Sequence, residues 1–231
     1  MPSSGTYVYA PSLGELTLYA FMLAQLRGPS LVTEHWQSAR TAANLLLADW
    51  ANETPNLWKV DRVQTTLVQG QATYAVDAKT IMILDAYMTI DNGLSDPIDR
   101  IITPVSRSEY ASYPNKDSQG LTTVFWLDRL ISPTVTLWQV PDGTSATYLT
   151  YYRVTQVQDA EFTSGQTVDI PYRWFNAFAD GMALNLARLW NPQLIPALQP
   201  FADKSYARAA KQDTENAAMY VSPQLSGYYR P

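Results

Sequence analysis

The sequence contains no cysteine and a single histidine, His35. The first absence excludes disulfides, thiolate metal sites and cysteine nucleophiles, and the second excludes a histidine-rich metal centre within one chain. Glycine is sparse and scattered: neither a Gly-Lys-Ser/Thr phosphate loop nor Gly-x-Gly-x-x-Gly occurs among the ten glycines, so nucleotide cradling is not expected. No Gly-x-Ser-x-Gly elbow is present, and His35 beside Trp36 reads as a structural histidine rather than a catalytic base. Long apolar runs are missing too. Nothing approaches the roughly 18–20 residues that span a bilayer, and the opening Met-Pro-Ser-Ser-Gly-Thr-Tyr lacks a secretory pattern, so synthesis inside a cell is the expectation.

Positive charge is also in short supply. Sixteen Lys and Arg against twenty-one Asp and Glu leave a net charge of -5, which argues against coating nucleic acid with a broad basic surface. What the chain has in quantity is aromatic residues, with seven Trp and fifteen Tyr. These combine large contact area with a polar handle and suit cores and interfaces.

The stretch Asp169–Trp190 is the strongest helical signal. Pro171 suits a first turn, and the wheel gathers Trp174, Phe178, Met182, Leu186 and Leu189 on one stripe, with Arg173, Asn176 and Asp180 opposite. Burying five such side chains is worth on the order of 10 kcal/mol, which predicts a helix docked against other helices. Gly181 within it predicts a close backbone approach. Near the start, Ser12 and Glu15 have capping-box spacing before Leu16, Tyr19, Leu23 and Leu26, and Gly28-Pro29 ends that helix. A second helix is predicted over Ser30–Glu53, with Val32, Trp36, Ala39, Ala43, Leu46 and Trp50 on its apolar face.

Beyond Thr54-Pro55 the period shortens to about 2. Strands are predicted near 58–68, 72–76, 81–90, 97–105, 124–131, 134–140 and 146–157, with turns at Gln69-Gly70, Asp91-Asn92-Gly93 and Pro141-Asp142-Gly143. Ser106-Arg107-Ser108-Glu109 repeats the capping-box pattern and predicts a short helix before Pro114, and Pro200 the first turn of a last helix reaching about Met219. The fold class expected is α+β: a helical bundle from the N- and C-terminal helices, with an inserted antiparallel β-sandwich or meander. The expected parts are residues 1–56 (helical hairpin), 57–168 (β-rich domain), 169–220 (C-terminal helices) and 221–231, an extended arm carrying Pro223, Tyr228, Tyr229 and Arg230.

Carboxylate pairs such as Asp159 with Glu161, Asp96 with Asp99 and Asp85 with Asp91 carry no calcium-loop pattern, and no cofactor or catalytic site is expected. Arg100, Arg107, Lys116 and Arg129, interleaved with Tyr110, Tyr113 and Trp126, have the composition of a backbone-contacting patch, but read more simply as solvated charges. Trp126, Trp138 and the tyrosines of Tyr148–Tyr152 offer an alternative reading, a platform for a carbohydrate or peptide.

Several motifs recur in order: Leu45-Leu46-Leu47-Ala48-Asp49-Trp50 and then Asn56-Leu57-Trp58-Lys59-Val60; Ser106 to Tyr110 leading to Pro114-Asn115-Lys116; and Trp126-Leu127-Asp128-Arg129. Further along stand Trp138-Gln139-Val140-Pro141-Asp142, Tyr151-Tyr152 running to Gln158-Asp159, and Asp169-Ile170-Pro171 with Arg173-Trp174. As an ordered set, covering roughly Leu13 to Ala218, these resemble the head-to-tail adaptors of tailed bacteriophages, also called head completion or tail tubular proteins. The resemblance implies a structural, non-enzymatic virion protein at the head-tail junction. It implies a ring, commonly of twelve copies, between the portal protein and a tail or nozzle protein, with DNA passing through the lumen unread during ejection. It also implies a helical part that touches the portal and ring neighbours, a β part that faces the tail, and subunits that stay monomeric before assembly. The arm, through Pro223, Tyr228, Tyr229 and Arg230, is then expected to bind the portal or a neighbouring subunit.

Overall fold

The computed structural model describes residues 5–6, 8–53, 56–91, 93, 96–144, 146–162 and 165–214. These residues form an α+β fold with five α-helices and a seven-stranded mixed sheet. In chain order the elements are α1 (Leu13–Leu23), α2 (Thr33–Glu53), β1 (Val60–Thr66), β2 (Thr73–Ala75), β3 (Thr80–Asp91) and β4 (Ile98–Pro104). Then come α3 (Arg107–Ser112), β5 (Val124–Asp128), β6 (Thr134–Trp138), β7 (Ala146–Thr155), α4 (Phe175–Trp190) and α5 (Ile195–Gln212).

The capping box of α1 forms as its sequence predicts. The Glu15 N–H donates to Ser12 Oγ at 3.2 Å, and Glu15 Oε2 accepts the Ser12 N–H at 2.7 Å. Of the predicted stripe, Leu16 is buried and Leu23 and Leu26 pack partly buried against the core, but Tyr19 is exposed, and Leu13, Thr17, Ala20 and Phe21 face inward as well. Small Ala20 and large Phe21 fit the helix interface where a tyrosine hydroxyl would need a partner. On α2 the predicted face holds for Ala39, Ala43, Leu46 and Trp50; Trp36 is partly buried and Val32 is exposed ahead of the first turn.

Helix α4 occupies the centre of the helical layer, packed against α1, α2 and α5. Trp174, Phe178, Met182 and Leu186 are buried as predicted, but Leu189, in the last turn, is 60% exposed. Pro171 caps a 3₁₀ turn over Tyr172–Trp174 instead of opening the α-helix itself. Gly181 is close to a side chain rather than a backbone: a Cβ there would lie 2.9 Å from Leu46 Cδ2 and 3.0 Å from its Cδ1. Gly181→Ala is therefore expected to cost on the order of 1 kcal/mol, overpacking outweighing the gain in helix propensity. In a Leu46→Ala background the same change is expected to stabilise; urea titrations of the four proteins check the sign reversal.

The last helix begins at Ile195, not at Pro200, which lies inside α5. Pro196 takes the first-turn role, and Pro196 and Pro200 are both exposed, so the carbonyl that Pro200 leaves unbonded faces water. The helix stops at Gln212; the predicted end near Met219 lies outside the described residues.

The strands run in the order β1-β7-β3-β4-β5-β6-β2. All neighbours are antiparallel except β4 and β5, which pair in parallel through Thr103↔Val124 and Pro104↔Phe125. The parallel pair departs from the expected all-antiparallel sandwich or meander, and the seven strands form one mixed sheet. The cause is local. The turn through Pro104 and α3 carries the chain over the sheet, so β5 returns in the direction of β4. Two hydrophobic clusters result, one among the helices around Trp174 and Phe178, the other on the sheet around Phe125, Met88 and Leu149.

Candidate interaction surface

Residues of three of the ordered motifs meet beside the β4–β5 junction. Ser106 Oγ accepts the Glu109 N–H at 3.1 Å and so starts α3, and Tyr110 within the helix and Tyr113 at its C-cap lie against tryptophans of the sheet. Tyr110 stacks on Trp126 with centroids 5.5 Å apart, and Tyr113 on Trp138 at 4.5 Å and 6°. The Trp138 indole N–H donates to the Asn115 carbonyl at 3.3 Å. Lys116 Nζ donates to the carbonyls of Tyr110 at 2.6 Å, of Ala111 at 3.2 Å and of Tyr113, and stands 4.9 Å from the Tyr110 ring centroid.

Lys116 is thus a helix C-cap that neutralises the carbonyl end of α3, which removes it from the candidate basic patch. Arg100, Arg107 and Arg129 remain exposed. Burial and the nearby Asp117 charge raise the Tyr110 pKa; burial, the Glu109 charge and its hydrogen bond raise that of Tyr113. Both therefore remain neutral phenols at physiological pH. One face of each indole is already covered by a tyrosine, so Trp126 and Trp138 do not present an open platform, and Tyr151 is buried in the sheet core. Lys116→Met is expected to destabilise by about 1–2 kcal/mol, since charge-assisted hydrogen bonds are lost at a partly exposed site. A red-shifted tryptophan emission would report the loosened stacks.

The remaining motifs build the joint between helices and sheet. Lys59 Nζ pairs with Asp169 Oδ2 at 2.6 Å, and the Gln158 N–H reaches the same oxygen at 3.1 Å. Trp58 and Trp50 flank Trp174 with centroids at 4.9 and 4.8 Å. Arg173 pairs with Asp213, whose other oxygen accepts the Leu57 N–H at 3.1 Å. Glu161 is held by Arg40 at 2.8 Å, and Asp99 accepts the Thr89 hydroxyl at 2.6 Å. His35 Nδ1 accepts the Val32 N–H at 3.3 Å while its ring stacks 4.2 Å from Trp190, a structural role as read. Among the described residues no group of three or more His, Asp or Glu is arranged to hold a metal, and no helix is long and apolar enough to cross a membrane.

Pro223, Tyr228, Tyr229 and Arg230 lie outside the described residues. The described surface instead displays apolar side chains that the sequence reading did not single out as contact residues. Leu45 and Leu189 flank a groove between α2 and α4 that also carries Asp49 and Arg188. Ile98 and Ile101 stand out on β4, the latter 83% exposed. The strand signal for 97–105 was clear in the sequence, but nothing there distinguished a half-covered strand from a central one.

No curated protein sequence matches the chain. The model of the SU10 adaptor protein family, however, matches residues 19–226, which takes in every element from within α1 to α5. The chain belongs to this family of phage head-to-tail adaptors.

Proposed function

We propose that the protein assembles as a ring, of twelve copies by resemblance, between the portal protein and a tail or nozzle protein, and that DNA traverses its lumen without being read. The observation that carries this reading is the family match across 19–226, which spans the helical layer and the sheet together. Its companion is the character of the motif residues. Tyr110, Trp126, Tyr113, Trp138, Lys59 and Asp169 are engaged with one another in packing and ion pairs, as scaffold residues are. The net charge of -5 suits a channel that must not retain a polyanion.

In this reading the helices contributed by 1–56 and 169–220 meet the portal and ring neighbours, and the sheet of 57–168 faces the tail. The arm of 221–231 engages the portal or an adjacent copy through Pro223, Tyr228, Tyr229 and Arg230. Native mass spectrometry of the chain, alone and mixed with the portal ring of the same virion, tests the assignment. The expected result is a monomer alone and a discrete complex with about one adaptor per portal subunit; a chain that ignores the portal would refute it. Removal of 222–231 is expected to abolish attachment with an unchanged circular dichroism spectrum, and full attachment without the arm would refute the arm's role.

A further inference from the structure

Two of the strand edges that carry no partner among the described residues bound the row β1-β7-β3-β4. β1 pairs only with β7, which leaves Val60–Thr66 bare on the outer side. β4 meets β5 only at Thr103 and Pro104, so residues 98–102 are bare on the side away from β3. Three successive antiparallel pairings separate the two edges, hence β4 runs opposite to β1. Rotation about a ring axis preserves that relation, so β4 of one copy and β1 of the next approach as antiparallel strands.

The two edges carry nearly the same tetrapeptide, Val60-Asp61-Arg62-Val63 and Ile98-Asp99-Arg100-Ile101. Placed antiparallel with Asp61 opposite Arg100, Arg62 falls opposite Asp99, Val60 opposite Ile101 and Val63 opposite Ile98. Two opposite-charge pairs thus sit beside two aliphatic pairs. Among the described residues Arg62 and Arg100 are exposed and form no ion pair. The carboxylates are already oriented, Asp61 by Arg153 at 2.7 and 3.1 Å and Asp99 by Thr89 at 2.6 Å.

The faces agree with this register. Val63 lies opposite Tyr151, Tyr151 opposite Ala86 and Ala86 opposite Ile102, so odd positions of β1 share a face with even positions of β4. A slip of one residue would set opposite faces together, and a slip of two would lose both charge pairs. The backbone agrees as well. The Leu67 N–H donates to Thr147, so odd residues of β1 point at β7 and even ones outward. On β4 the Thr103 N–H donates to Thr123, so odd residues point outward. Arg62 and Asp99 therefore exchange two hydrogen bonds. The Ile101 N–H gives a third to the Val60 carbonyl, the Val60 N–H being held by Leu57. A two-fold pair of β4 with itself must centre on a residue facing its own copy, which sets Asp99 or Arg100 against itself or leaves both without a charged partner.

We propose that β4 of one copy pairs antiparallel with β1 of the next in this register, joining neighbouring subunits through a continuous sheet; this rests on the ring reading above. The absence of cysteine in the chain makes the test clean. Val63 and Ile98 would form a non-hydrogen-bonded pair with Cα atoms about 4.5 Å apart, within the reach of a disulfide. Mild oxidation of a Val63→Cys/Ile98→Cys variant assembled on the portal is expected to give a ladder of covalent oligomers. The single variants and the shifted Val63→Cys/Arg100→Cys pair are expected to give none. Rings that form without a ladder, or with an equal ladder in the shifted pair, overturn the edge pairing and leave the ring standing. Failure of the unaltered chain to form any portal complex overturns both. Arg62→Asp and Asp99→Arg are each expected to weaken the contact between copies about tenfold, and their combination to restore it. Undiminished assembly by both single variants overturns the proposal.

Discussion

Trp174→Ala is expected to lower the unfolding free energy by about 3–5 kcal/mol, the range for deleting a large buried aromatic side chain. Trp174 is fully buried, and its ring meets Trp50 at 4.8 Å, Trp58 at 4.9 Å and Tyr206 at 5.6 Å. Those partners come from α2, the turn before β1, and α5, so the void would open where the helical layer meets the sheet. For a chain of this size each kcal/mol shifts the midpoint by about 2–4 °C, which makes the expected drop in Tm on the order of 10 °C. A melt followed by near-ultraviolet circular dichroism, dominated here by stacked indoles, reads it directly. Trp174→Phe behaves differently. The indole N–H of Trp174 is buried without a partner among the described residues. Phenylalanine removes that unsatisfied donor while keeping most of the volume, and a cost under about 1.5 kcal/mol is expected. Equal losses for the two variants would show that volume is not what Trp174 supplies.

Local signals carried most of the fold. The capping box at Ser12, the cap at Ser106 and the turn at Pro141-Asp142-Gly143 each depend on residues within four positions of one another. The box at Ser12 and the turn appear as predicted, Gly143 with φ of 74° and Asp142 Oδ1 accepting both the N–H and the hydroxyl of Thr144, while at Ser106 the N-cap half of the predicted box forms, Ser106 Oγ accepting the Glu109 N–H. Hydrogen bonds from Thr144 hold the Asp142 carboxyl below its ordinary pKa. Misreadings arose where the answer depended on distant chain. Leu189 and Leu186 look equivalent on a wheel, yet only Leu186 is buried in the helical core. The parallel pairing of β4 with β5 is written in neither strand, because the direction is set by the connection through α3. The candidate surface was legible only in part. Arm composition pointed to a partner, whereas the bare edges of β1 and β4 exist only once the strand order is known.

The ion pair of Arg173 with Asp213 is expected to give the second large effect, with an asymmetry that identifies its role. Asp213 has only 3% of its side chain exposed, against 30% for Arg173. Its two oxygens bind the guanidinium before α4 and the Leu57 N–H before β1, while its own backbone N–H closes α5 through the carbonyls of Ala209 and Ala210. Three segments distant in sequence are therefore fixed at one carboxylate. Arg173→Met leaves that carboxylate buried without its counter-charge and is expected to cost about 3–5 kcal/mol. Asp213→Leu strands a cation that reaches solvent in part and is expected to cost less, about 2–3 kcal/mol, mostly through the unpaired Leu57 N–H. The double variant is expected to be more stable than Arg173→Met alone, since no charge remains to be desolvated. A double-mutant cycle in urea measures the coupling, and additive losses would show that the two side chains do not act as a pair.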